Sequence, residues 1–151
     1  MNDATEHRRA AATAWFLAGL GALPFVVMAL AQVSMPDFAT AHMGGETAFL
    51  AYGAVILSFM GGVRWGAALS PAALPVAGER MILSVAPSLA AWLALLIERP
   101  WSLLLLLAGF ALQGAWDVMS ARNGDLPSWF GRLRLVISAI VAVSILVVLL
   151  A

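Results

Sequence analysis

The chain has 151 residues, 63% hydrophobic and only 11% charged, with eight arginines, no lysine and no cysteine, at a formal net charge of zero. A soluble domain carries about 25% charged residues, so a surface built from this composition faces lipid rather than water. The missing cysteines exclude disulfides, thiolate nucleophiles, cysteine-based zinc sites and iron–sulfur clusters. The missing lysine excludes Schiff-base chemistry, and without a basic run nucleic acid is not an expected partner.

Five apolar, charge-free runs follow in chain order: Ala10–Val33, Thr47–Val63, Met81–Ile97, Pro100–Trp116 and Leu135–Ala151. A helix needs about 20 apolar residues to cross a hydrocarbon core of about 30 Å, and the shorter runs reach that length by borrowing interfacial neighbours. The predicted fold is therefore all-α, a single integral membrane domain over residues 1–151 built as a bundle of five transmembrane helices. They are expected at about 11–33, 46–69, 80–97, 101–121 and 128–151. Pro24 and Pro87 predict kinks in the first and third. Ser70-Pro71 and Pro75 stop the second, Glu98-Arg99-Pro100 forms a tight hairpin, and Asn123-Gly124 ends the fourth. The first stretch also resembles a secretory signal, with Arg8-Arg9 ahead of an apolar run and Ala29-Leu30-Ala31 as a cleavage site. Its length favours a retained helix, and the other four keep their orientation either way.

Arginines in short loops orient such a protein. With the N-terminus inside, the inner segments hold Arg8, Arg9, Arg80, Arg122, Arg132 and Arg134, and the outer ones only Arg99. The expected topology is N-terminus cytoplasmic and C-terminus periplasmic, in a cell inner membrane. Trp15, Trp65, Trp116 and Trp129 then fall near the inner interface and Trp101 near the outer.

Two ionisable residues, Arg64 and Asp117, lie inside predicted spans at nearly the same depth, about 6–8 Å from the inner ends of two helices running the same way. A lone charge at mid-membrane costs about 2.5–3.5 kcal/mol, so direct or water-bridged pairing relieves both. The alternative for Arg64 is to snorkel to the headgroups. Gln113, Asp117 and Ser120 share one helix face, Ser84 and Ser88 another, and Ser138 is about as deep. Arg64, Asp117, Gln113, Ser84 and Ser88 thus form a candidate intramembrane polar site, against which stands simple interhelical hydrogen bonding.

Ala54, Ser58, Gly62 and Gly66 recur every four residues and predict a helix-packing seam. No metal or other cofactor is expected. His7 and His42 lie outside the spans, no HExxH occurs, and His42 with Glu46 makes too poor a ligand pair. A single intramembrane aspartate excludes a paired-aspartate protease, and no catalytic set is found, so an enzyme is not expected.

The segment Ala51-Tyr52-Gly53-Ala54-Val55-Ile56-Leu57-Ser58-Phe59-Met60-Gly61-Gly62-Val63-Arg64-Trp65-Gly66 resembles a family of small membrane proteins that includes the transmembrane-protein-69-like proteins, with mitochondrial and proteobacterial members. Gly19 to Phe25, Gly109-Phe110 with Asp117, and Pro127 to Phe130 with Leu133-Arg134 extend the resemblance over nearly the whole chain. It implies a five-helix integral membrane protein and carries no activity with it. Arg64, Trp65, Asp117, Trp129 and Arg134 match its pattern. Beyond the lipid bilayer, the expected partners are a second copy or another membrane protein. Two functions remain, with the first slightly favoured: a structural, assembly or interaction partner in the membrane, or a small carrier or proton-coupled permease using Arg64 and Asp117.

Overall fold

The computed structural model describes residues 3–70 and 77–151, and every regular element among them is a helix. They are α1 (Asp3–Ser34), α2 (Pro36–Met43), α3 (Gly45–Ala68), α4 (Ala77–Ala94), α5 (Trp101–Arg122) and α6 (Ser128–Leu150). Four segments are long and apolar enough to cross a membrane: Arg8–Ser34, Gly45–Ala68, Trp101–Arg122 and Ser128–Leu150. The remaining long helix, α4, has 18 residues, with Glu79 and Arg80 in its first turn diluting its apolar character. Pro71 and Pro75, expected to stop the second span, lie outside the described residues.

Three boundaries and one element differ from the expectation, one of the boundaries being the start of α4 at Ala77 rather than Arg80. The first helix begins at Asp3 rather than near Ala11. Hydropathy locates the part of a helix that lies in lipid, whereas acidic residues near the start suit the helix dipole and let the coil extend outward. Helix α4 stops at Ala94 rather than at the expected Ile97, where Leu95 and Leu96 donate to carbonyls three residues back and tighten the chain into a turn. The short helix α2 was not anticipated. Pro36 and Asp37 sit in its first turn, as helix starts favour. Gly44 and Gly45, at φ 75° and 55°, redirect the chain into α3 through left-handed conformations that glycine adopts without strain.

Side-chain contacts define the two ends of the bundle. At one end Arg99, between α4 and α5, meets Glu46 at the start of α3 at 3.1 Å and donates to the Val148 and Leu149 carbonyls at the end of α6. At the other, Arg80 at the start of α4 meets Asp125 between α5 and α6 at 3.4 Å. α3 and α5 therefore run in the same direction, and α4 returns antiparallel between them. Around the bundle α1 packs on α3, α3 on α4, α4 on α5, α5 on α6 and α6 on α1, with α3 also touching α5 across the middle.

The apolar core is concentrated toward the Arg99 end: Phe25, Phe49, Leu57, Leu103, Leu106, Val141, Ile145 and Val148 are buried. Phe25 stands edge-on to Phe49, Tyr52 and Phe110, with centroids 5.1–5.6 Å apart, a favoured aromatic geometry. Pro24 provides no N–H for the turn before it and loosens it. The Tyr52 hydroxyl donates to the Gly21 carbonyl in that turn at 2.8 Å. Large apolar side chains such as Leu17, Leu30, Val55, Ile82, Leu96, Leu112 and Leu150 cover the outside, as a lipid-facing surface requires.

The packing seam on α3 is not the predicted one. Ala54 is buried and Ser58 half-buried, but Gly62 and Gly66 are exposed, with open space where a Cβ would stand. The inward stripe is offset by one residue: Gly53, Leu57 and Gly61. Leu106 of α5 fills the space a Cβ on Gly53 would need, Leu57 fills that of Gly109, and the Ser84 carbonyl of α4 lies against Gly61. Each leucine seats over the partner helix's glycine, which brings the backbones of α3 and α5 close. Van der Waals packing of this kind is a main attraction between helices in lipid.

Candidate functional site

Asp117, one turn from the end of α5, is the hub of the polar half of the bundle. Its Oδ1 lies 2.5 Å from Nη2 of Arg64 on α3, and its Oδ2 accepts from Nε of Arg134 on α6 at 2.5 Å. Ionised, the carboxylate accepts from both sides, so it ties three helices together. Arg64 also donates from Nη1 to the Ser120 hydroxyl at 3.1 Å and places its guanidinium 4.5 Å from the centre of the Trp116 ring. Gln113, a turn away on α5, offers Nε2 to Asp117 at 3.5 Å. Arg64 is thus held by Asp117, Ser120 and Trp116 rather than extended to the headgroups.

Arg64, Asp117 and Arg134 are the buried ionisable side chains among the described residues, each no more than 9% exposed. Two guanidiniums against one carboxylate leave a formal charge of +1 inside the bundle. Besides Nη2 of Arg64, which meets Asp117 as an ion pair, two buried donors of the cluster, Nε of Arg64 and Nη2 of Arg134, find no hydrogen-bond partner among the described residues. Charge inside a membrane is costly and normally compensated, and this cluster carries one positive charge in excess.

Two cavities flank the cluster. One, of 330 Å³, approaches from the Arg80 end and is lined by Arg64, Trp116, Ser120, Arg80 and Asp125. The other, of 340 Å³, is a cleft between α1 and α3, with α5 and α6 as its floor. Apolar side chains such as Leu17, Phe59, Met60 and Ile137 line it, and Asp117 and Arg134 supply its charged wall. The aromatic cluster around Phe25 closes the Arg99 half beyond it.

Of the predicted site residues, Arg64, Asp117 and Gln113 come together. Ser84 and Ser88 do not: the Ser84 hydroxyl donates to its own helix at the Met81 carbonyl, 2.7 Å away, and both serines lie beside Gly61. A serine in the middle of a helix bonds readily to a carbonyl of the preceding turn, which removes Ser84 from the pocket. Trp65 is exposed, and Trp129 packs edge-on against Phe130. The main addition to the polar site is Arg134, matched to the family pattern from sequence but counted there as a loop cation, although it stands six residues into α6. Trp116 is the other, read there only as an interfacial ring. His42 and Glu46 do not converge: His42 stacks on Phe38, and Glu46 is held by Arg99.

Residues 10–150 match the family described as protein of unknown function (DUF3429). The chain is 35% identical over 140 residues to Transmembrane protein 69 of Xenopus tropicalis, an alignment covering 87% of this chain and 51% of that protein. It thus spans about half the length of this curated relative. No solved structure matches. With its apolar helices and outward-facing aliphatic surface, the chain is an integral membrane protein and belongs to the DUF3429 family, whose members include proteins similar to transmembrane protein 69.

Proposed function

We propose that the protein is a small carrier that binds a monovalent anion inside the bilayer, at the cluster of Arg64, Asp117 and Arg134. The observation that carries this reading is the unbalanced charge. A purely structural pair needs one arginine per aspartate, whereas here a second guanidinium is held at the same buried carboxylate with an unpartnered donor. The cavity at the Arg80 end supports access from that side, and the packed aromatic half supports closure from the other.

In this reading α4 is a fifth crossing. It joins the end of α3 to the start of α5, two helices running the same way, and so has to return across the same thickness. Its 18 residues span about 27 Å at 1.5 Å per residue. The Arg80 end is cytoplasmic, since Arg8, Arg9, Arg80, Arg122 and Arg132 group against Arg99 alone even after Arg134 is assigned to the span. The membrane is a bacterial inner membrane, the C-terminus is periplasmic, and the role is binding and transfer rather than catalysis. A carrier of this size is expected to work as a dimer.

The test is efflux of labelled lactate from phosphatidylcholine proteoliposomes. The proposal expects flux above that of empty vesicles and its loss in Arg134→Gln; equal flux with and without protein overturns it. A second reading, a structural or assembly partner in a membrane complex, is favoured by the outward stripe of Gly62 and Gly66, which meets no helix among the described residues. A stoichiometric second protein on purification in mild detergent would support that role.

A further inference from the structure

We infer that the apolar cleft between α1 and α3 binds the hydrocarbon tail of a long-chain fatty acid, with its carboxylate on Arg134. The inference rests on the anion-binding reading above and specifies the anion as an amphiphile. The two halves of such a ligand find matching surfaces in one cavity. Its wall is aliphatic and aromatic along Ala18, Phe59, Met60, Ile137 and Val141, and Arg134 borders it, buried, with Nη2 unpartnered. At 340 Å³ the cavity falls within the range of small-molecule pockets.

Charge and depth select the occupant. One carboxylate balances the single excess positive charge and can accept two parallel bonds from a guanidinium. Arg134 stands six residues into α6, about 9 Å from the helix start and so inside the proposed span. A two-chain phospholipid would have to carry a bulky polar headgroup down to that depth, and burying its unpaired polar atoms is costly. A carboxylic acid has no further headgroup to bury. The cavity at the Arg80 end is the more polar of the two, with Arg64, Glu79, Arg80 and Asp125 in its wall and a shorter apolar stretch around Leu83 and Trp116, so it suits a tail less well than the cleft.

A photoactivatable fatty acid bearing a diazirine in its chain tests the inference on the full chain in phosphatidylcholine nanodiscs. Labelling is expected within Ala14–Phe25, Ile56–Val63 or Phe130–Val141, with oleate competing at least about tenfold better than oleyl alcohol, as loss of a charge-assisted bond implies. Arg134→Gln, which keeps a neutral Arg64–Asp117 pair and so its fold, should reduce labelling by a similar factor. Ala18→Phe should reduce it by narrowing the cleft, while Leu112→Phe on the outer surface should not. Equal competition by oleyl alcohol, or labelling confined to the outer surface, overturns the inference. Loss of labelling in phosphatidylglycerol nanodiscs also overturns it, by assigning the cleft to a bilayer phospholipid. Acetate separates the two levels. If acetate raises the thermal stability of the wild type but the fatty acid labels no cleft residue, only the amphiphile assignment falls; if neither binds, the anion-binding reading falls with it.

Discussion

Replacing Asp117 by asparagine is expected to damage the protein far more than replacing either arginine bonded to it. The wild-type cluster holds two guanidiniums and one carboxylate, with both ion pairs at 2.5 Å and the side chains almost fully buried. Asp117→Asn breaks both pairs at once and leaves a formal charge of +2 with no counter-charge. Stranding a buried charge by removing its partner costs about 3–5 kcal/mol, and here two charges are stranded. Arg64→Gln or Arg134→Gln instead leaves one complete, neutral pair, so each should cost about 1–3 kcal/mol, the range of a charged hydrogen bond. A membrane-embedded unfolded state finds substitute partners and compresses such values, but it does not reverse their order. Thermal unfolding of the three variants in a non-ionic detergent, followed by near-ultraviolet circular dichroism, measures the ranking. If Asp117→Asn unfolds no earlier than the arginine variants, the carboxylate is not the hub and the charge accounting is wrong.

Further expectations follow from other parts of the bundle. Gly61→Leu should destabilise by about 2 kcal/mol or more, in the range of overpacking, because the Ser84 carbonyl already occupies the space of its Cβ. Gly62→Leu, one residue on and facing open space, should leave the unfolding temperature of the detergent-solubilised monomer unchanged. Tyr52→Phe should cost about 0.5–1.5 kcal/mol through loss of its bond to the Gly21 carbonyl, read as an earlier unfolding midpoint. In a bacterial host a C-terminal alkaline phosphatase fusion should be active, and activity confined to cytoplasmic reporters would reverse the proposed orientation.

Much of this arrangement was legible in the residues because lipid imposes a strict rule. Uninterrupted apolar runs have few outcomes other than helices long enough to cross, and Arg64 and Asp117 stand out once the chain is otherwise free of charge at their depth. Helix α2 was hidden because eight residues outside the apolar runs have no membrane signature, although Pro36 and Asp37 mark its start. The seam was misplaced for a geometric reason. Two four-residue stripes run side by side on α3, and the all-small one ending in Gly62 and Gly66 looked the better seam. The buried one contains Leu57, which breaks the small-residue pattern but seats over Gly109 of α5. Which stripe faces inward depends on the neighbouring helix, which no single segment encodes. Arg134 was counted among loop cations, yet its distance from the helix start at Ser128 already put it as deep as Asp117. Applying the depth arithmetic to every arginine, rather than only to those inside charge-free runs, would have found the full cluster.

The most direct test of the central claim, an excess positive charge that takes an anion, is the unfolding midpoint of the wild type and of Arg134→Gln in nanodiscs across an acetate series. Ionic strength is held constant with gluconate, a bulkier and more polar anion. A ligand that binds only the folded state stabilises it in proportion to the logarithm of its concentration above Kd. The wild-type midpoint should therefore rise with acetate and that of Arg134→Gln, whose cluster is neutral, should stay flat. Equal responses in the two proteins would mean that the second arginine serves the fold alone, and would contradict the proposed anion site.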